Sequence, residues 1–193
     1  MSTVKLAFIG AGSIRCAAPV IATLATYFGE RQMDIALYDA DEERLDLFDR
    51  FARTSFILMK STHGLRSTSL LEEALENADA VLVGYDENCA RQEIGIAARK
   101  MTTAESMSAM ADRVVELAPP KCAMMCLPHT SPIEGASNTD GWPDTPEQAS
   151  WVVPLQILRW LNGEEYPYDL FRENERSPLR AWLDDPQPRR ITS

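Results

Sequence analysis

Val4-Lys5-Leu6-Ala7-Phe8-Ile9-Gly10-Ala11-Gly12-Ser13-Ile14-Arg15 decides how the rest of this chain is read. A mostly apolar run stops at Gly10, and an apolar pattern with helical spacing, Ala17, Ile21, Leu24 and Phe28, follows directly. Strand, glycine turn and helix in that order make the first half of a β-α-β unit. The turn of such a unit lies at a helix N-terminus, whose free amides and dipole attract anions. Gly10 permits the tight turn, Gly12 lets the backbone approach phosphate oxygens and Ser13 adds a hydroxyl donor, so Gly10, Gly12, Ser13 and Ile14 are candidate contacts for a pyrophosphate. Arg15 stands where a third glycine usually completes this fingerprint.

Moving outward, Asp34 to Tyr38 reads as a second strand that ends at Asp39, and Asp41-Glu42-Glu43-Arg44 opens a helix reaching about Met59. An acidic residue at the end of the second strand is placed to accept hydrogen bonds from adenosine ribose hydroxyls, and it disfavours a 2'-phosphate. Asp39 therefore points to NAD over NADP. Leu65 to Thr68 reads as a short third strand, Leu70 to Leu75 as a small helix and Asp79 to Gly84 as a fourth strand. Gly84 and Tyr85 fall at the carboxyl edge of the sheet, where Gly84 can pass under a nicotinamide ribose; Tyr85 is equally readable as an ordinary strand-end residue. One long helix is predicted from about Gln92 to Leu117, ending at Pro119-Pro120, and a buried fifth strand over Cys122 to Leu127. Strands alternating with helices predict the α/β class, with a Rossmann-type doubly wound parallel sheet.

The pattern changes after Ser131. Pro132, Gly135, Asn138, Gly141, Pro143 and Pro146 predict a loop, and a helix is expected from Trp151 to Asn162. The expected division is a dinucleotide-binding domain over 1–132 and a short C-terminal helical and irregular appendage over 133–193. Trp160, Tyr166, Phe171, Leu179 and Trp182 make that appendage too apolar for a free linker, so it is expected to pack on the domain or on another subunit as a homo-oligomer.

A chain of 193 residues that is 45% hydrophobic supports a proper core. Its formal charge of -10 argues against a duplex nucleic-acid surface, which needs clustered Lys and Arg. No apolar run approaches the roughly 18–20 residues of a membrane span. Cys16, Cys89, Cys122 and Cys126 and the two histidines, His63 and His129, show no zinc spacing, so no metal is expected from them. The chain reads as cytoplasmic with reduced thiols. Two residues are candidates for chemistry on a substrate. His129, after the fifth strand, is placed to polarise a carbonyl or move a proton, and Arg91 to hold an anionic group such as a sugar phosphate. Structural roles for both are the competing readings.

Residues 4 to about 132 also resemble the NAD-binding half of family 4 of the glycoside hydrolases. The likeness rests on the turn Gly10 to Ser13, on Leu37 to Leu45 (LYDADEERL), on Leu71 to Gly84 and on Arg91-Gln92-Glu93-Ile94-Gly95-Ile96, which resembles an Arg-x-Glu-Ile-Pro-Leu segment. His129-Thr130-Ser131-Pro132 occupies the place of that family's Thr-Asn-Pro turn. The resemblance implies an NAD-dependent reaction on a sugar-like, often 6-phosphorylated substrate: oxidation at C3, proton abstraction at C2, elimination and reversal, with a divalent metal held by Cys and His. Ser131 replaces the substrate-contacting Asn, and no Cys-His segment follows the fifth strand. The expectation is a retained NAD-binding module with incomplete glycosidase machinery. The alternatives are a non-catalytic interaction or sensor protein on the same scaffold, or a small NAD-dependent oxidoreductase.

Overall fold

The computed structural model describes residues 3–13, 17–26, 32–120, 122–126 and 137–138. Six parallel strands form one sheet in the order β3-β2-β1-β4-β5-β6: β1 (Val4–Ile9), β2 (Met33–Tyr38), β3 (Gly64–Thr68), β4 (Ala80–Val83), β5 (Ala123–Cys126) and β6 (Ser137–Asn138). This is the strand order of the dinucleotide-binding doubly wound fold, with its topological switch between β1 and β4. The α/β, Rossmann-type expectation holds.

The period of two along each central strand divides its side chains between two cores. Val4, Leu6 and Phe8 of β1, Met33, Ile35 and Leu37 of β2 and Leu82 of β4 face one way. They pack with Val20, Ile21 and Leu24 of α1 (Ala17–Thr26) and Leu45 and Phe56 of α2 (Glu42–Leu58). Ala7 and Ile9, Ala36 and Tyr38, and Val81 and Val83 face the other way. Their partners are Leu71 and Leu75 of α3 (Leu71–Leu75), Cys89 of α4 (Glu87–Ile94) and Met107, Met110 and Val114 of α5 (Thr103–Leu117). Burial on both faces is what a parallel sheet demands, and it explains why these strands read as near-continuous apolar runs. Asp79 sets the β1–β4 register by accepting from Lys5 N–H (2.8 Å) and donating its own N–H to Lys5 carbonyl (2.9 Å).

The single long helix expected over Gln92 to Leu117 is corrected to three pieces. The first, α4, begins earlier, at Glu87, and ends at Gly95, whose φ of 67° breaks the helical path. A 3-10 helix over Gly95–Lys100 follows, and α5 starts afresh at Thr103. The new start is a reciprocal cap: Thr102 Oγ1 accepts from Glu105 N–H (3.2 Å) while Glu105 Oε2 accepts from Thr102 N–H (2.6 Å). Thr-x-x-Glu is the sequence signature of that cap. Thr102→Ala is expected to lower stability by about 1 kcal/mol, read as a lower denaturant midpoint at unchanged slope.

Within the stretch expected to be loop, Ser137–Asn138 pairs with Met125 and Cys126 as the sixth strand. A two-residue strand carries no periodicity, which is why the sequence does not announce it. The expected helix over Trp151 to Asn162 and the rest of the appendage lie outside the described residues. Arg113 of α5 ties the second face together, its guanidinium 2.9 Å from Glu72 of α3 and 2.9 Å from Glu93 of α4.

Candidate functional site

The carboxyl edge of the sheet at β1, β2 and β4 is built around the glycine turn. Gly10 has φ 95° and the N–H groups of Gly10 and Ala11 both donate to Tyr38 carbonyl (2.9 and 2.8 Å), so the turn is pinned to the end of β2. Ser13 N–H donates to Gly10 carbonyl (3.0 Å), and Ala17 N–H to Ser13 carbonyl (2.9 Å), which leads the chain into α1. A Cβ on Gly10 would lie 2.3 Å from both Cα and N of Tyr85. The glycine is therefore required by the crossing of β1's exit over β4's exit, at the switch point itself.

Gly12 has a different reason to be glycine. Its N–H donates to Asp39 Oδ2 (2.9 Å), and a Cβ would sit 2.8 Å from Arg44 Cβ and 2.9 Å from the Asp39 carboxylate. The close approach expected toward phosphate is, in this structure, an approach to the β2 carboxylate. Asp39 is only 1% exposed, and its second oxygen accepts from Asp41 N–H (2.9 Å). Burial raises its pKa to about 6 against the pull of the two backbone donors, with the Asp86 and Asp41 charges adding to the rise. Each carboxylate oxygen has two lone pairs, so acceptor capacity for ribose hydroxyls remains.

Around Asp39 the starts of α2 and α4 are laced together. Asp41 caps α2 by accepting from Arg44 N–H (3.1 Å), and Asp86 caps α4 by accepting from Cys89 N–H (3.0 Å). The Arg44 guanidinium spans the gap, donating through Nη1 to Asp86 Oδ2 (2.9 Å) with its Nε 3.4 Å from Asp41 Oδ2. Asn88 and Gln92 of α4 donate to that same Asp41 oxygen (2.9 and 3.4 Å). Behind this rim the fully buried Tyr38 donates its hydroxyl to Glu93. Burial pushes the Tyr38 hydroxyl and the Cys89 thiol upward, so both stay protonated and Cys89 is no nucleophile.

The sequence candidates fare unevenly. Gly10, Gly12, Ser13 and Asp39 converge on one turn, with Ser13 buried beneath it. Gly84 N–H donates to Ile9 carbonyl (2.7 Å), so the main chain of Gly84 and Tyr85 stays at the edge. The Tyr85 side chain does not, because its ring is buried in the second core and its hydroxyl donates to Met107 carbonyl (2.9 Å). Arg91 lies inside α4 rather than opening a helix, donating to Glu87 (2.7 Å) and to the carbonyls of Ala98 (3.0 Å) and Met101 (3.4 Å). Those bonds fasten the 3-10 segment to α4. Ile14 and His129 lie outside the described residues. Sequence reasoning missed Arg44, Asn88 and Gln92 as parts of this edge. The signals available were local ones, the two aspartate helix caps, and nothing local reports that Arg44 reaches across 42 positions to Asp86.

Among the described residues no group of three or more His, Cys, Asp and Glu is arranged to hold a metal ion, and no helix is long and apolar enough to cross a membrane.

Similar structures include a 6-phospho-α-glucosidase from gut microorganisms in complex with NAD and Mn2+, at TM-score 0.50 and 15% identity over 65% of this chain and 32% of that one. Another is the 6-phospho-β-glucosidase of Thermotoga maritima with NAD and glucose-6-phosphate (TM-score 0.49, 17% identity, 64% of this chain and 33% of that one). A third is the lactate dehydrogenase of Cryptosporidium parvum with lactic acid and nicotinamide adenine dinucleotide (TM-score 0.45, 17% identity, 68% and 38%). The chain thus spans about a third of the length of these enzymes. No curated protein matches the sequence. Residues 5–102, just over half of the chain, match the family described as family 4 glycosyl hydrolase. By that match, which runs from β1 through the glycine turn, Asp39 and α4 to Met101 and Thr102, the chain belongs to family 4 of the glycosyl hydrolases.

Proposed function

We propose that this chain is an NAD-binding module of the family 4 type, holding the dinucleotide across the carboxyl edge of β1, β2 and β4. The observation that carries the reading is the Gly12 N–H to Asp39 Oδ2 hydrogen bond. It locks the glycine turn to the one acidic residue placed for the adenosine ribose, in a sheet of the matching strand order. The glycine turn Gly10 to Ser13, which leads to the N-terminus of α1, borders the pyrophosphate. The main chain at Gly84 and Tyr85 borders the nicotinamide ribose. Family membership supports NAD as the dinucleotide, and NAD when bound supplies a hydride acceptor.

Hydrolysis of a sugar-like, 6-phosphorylated substrate needs groups beyond this half. The Arg91 guanidinium, bonded to Glu87, Ala98 and Met101, is assigned to structure rather than to an anionic substrate group, and His129 is the candidate for a proton transfer at the substrate. Residues 133–193 are assigned to assembly or to shaping that pocket, in a cytoplasmic homo-oligomer. Sedimentation of the chain with and without residues 164–193 tests the assembly: a size that does not change removes it.

Calorimetric titration with NAD tests the central reading. Micromolar binding is expected for the intact chain, and Asp39→Ala is expected to weaken it by about 100-fold. Folded protein that takes up no NAD would overturn it and make the turn inherited architecture.

A further inference from the structure

We infer that the Arg44–Asp86 ion pair sets the nucleotide preference of this edge: Asp86 and Asp41 engage a guanidinium that would otherwise receive a 2'-phosphate. The inference rests on the dinucleotide site proposed above. A dinucleotide seated by the general rule for this fold brings its adenosine 2'-position to the end of β2, beside Asp39. What stands there is Arg44, its Cβ 2.8 Å from where a Gly12 Cβ would lie and its stem therefore against the turn. An arginine at this place is the ordinary receptor of a 2'-phosphate, by charge and by its fork of donors.

In this chain that receptor is spoken for. Arg44 Nη1 is 2.9 Å from Asp86 and Nε is 3.4 Å from Asp41, so two carboxylates hold one guanidinium at the end of β2, where Asp39 stands. Asp41 is itself held by Asn88 and Gln92, which fixes the acidic partner in place. A 2'-phosphate would have to break the Asp86 bridge and approach two further negative charges. A 2'-hydroxyl carries no charge and escapes that repulsion, and Asp39 has lone pairs to receive it. Asp39 alone, with both oxygens already accepting backbone N–H groups, is an incomplete account of the discrimination.

The test uses Asp86→Ser, which keeps an acceptor for the α4 cap while releasing Arg44, and Asp86→Asn as a second variant that also retains the cap. NAD and NADP are titrated into the full chain and into both variants, with thermal melts to establish folding. The expected result is that affinity for NADP relative to NAD rises at least about tenfold in either variant, and that adding Arg44→Gln abolishes the gain. If the folded variants keep the wild-type preference, or if the gain survives Arg44→Gln, the inference falls while the NAD site stands. If the wild-type chain binds neither nucleotide, the underlying site and this inference fall together.

Discussion

Gly10→Ala is expected to cost about 4 kcal/mol or more, enough to leave much of the chain unfolded at 37 °C, since domains of this kind carry only about 5–15 kcal/mol in all. The added Cβ would lie 2.3 Å from two backbone atoms of Tyr85 and 2.6 Å from the Gly84 carbonyl carbon, at a φ of 95° that L-residues avoid. Backbone cannot rotate out of the way as a side chain can. The end of β4 would have to move from β1, where Gly84 N–H now bonds to Ile9 carbonyl. Gly95→Ala is the matched control. It also has positive φ, 67°, but its Cβ would meet nothing within 4 Å, so only the conformational cost of about 1–2 kcal/mol is expected. Urea unfolding of both variants separates the two causes. Equal losses would mean that the crossing of β1 and β4 exits is slack.

The second large effect is that of pH on Asp39, with opposite signs for folding and for binding. Its folded pKa of about 6 stands above the ordinary carboxylate value of 3.8. The stabilisation linked to its protonation is thus fully present below pH 4 and is lost as the pH rises through about 6. A rise of that size corresponds to roughly 3 kcal/mol lost from the fold between about pH 4 and pH 7. Other carboxylates pull the opposite way, for Glu87 and Glu105 are held below their usual range by their hydrogen-bond donors. The measurable quantity is therefore the difference in stability between the wild type and Asp39→Asn across that range, which is expected to shift steadily against the wild type as the pH rises. Ribose hydroxyls donate best to the ionised carboxylate, so NAD affinity is expected to fall by up to about tenfold per pH unit below about pH 6. A flat affinity between pH 5 and pH 7 would sink the assignment of Asp39 to the ribose.

What could be read from the sequence follows how far each determinant reaches along the chain. The β1 run, its glycine turn and Asp39 are contiguous or one β-α-β unit apart, so the doubly wound parallel sheet and the meeting of the turn with Asp39 were legible. Gly95 and the Thr102-x-x-Glu105 cap are equally local signals. The apolar spacing through Met107, Met110 and Val114 nevertheless draws the expected helix too long, because periodicity continues across the breaker and the cap. Tyr85 and Arg91 could not be placed by spacing at all. Whether a tyrosine at a strand end turns outward or into the core depends on α5, whose Met107 carbonyl receives its hydroxyl from 22 positions away. Burial of Asp39, and with it the raised pKa, is likewise a property of the assembled edge rather than of any window of residues.

Arg113, seated on α5 between Glu72 and Glu93, has a consequence for how this domain breathes. With a carboxylate of α3 and one of α4 each 2.9 Å from that guanidinium, opening of either helix separates an ion pair shared through α5. Local openings on that side are therefore coupled into one cooperative unit, whereas α1 and α2 opposite are held to the sheet by apolar contacts. Native-state amide exchange would then show α3, α4 and α5 exchanging in step. Arg113→Met would uncouple them, letting the short α3 exchange first while the rest of the domain stays closed.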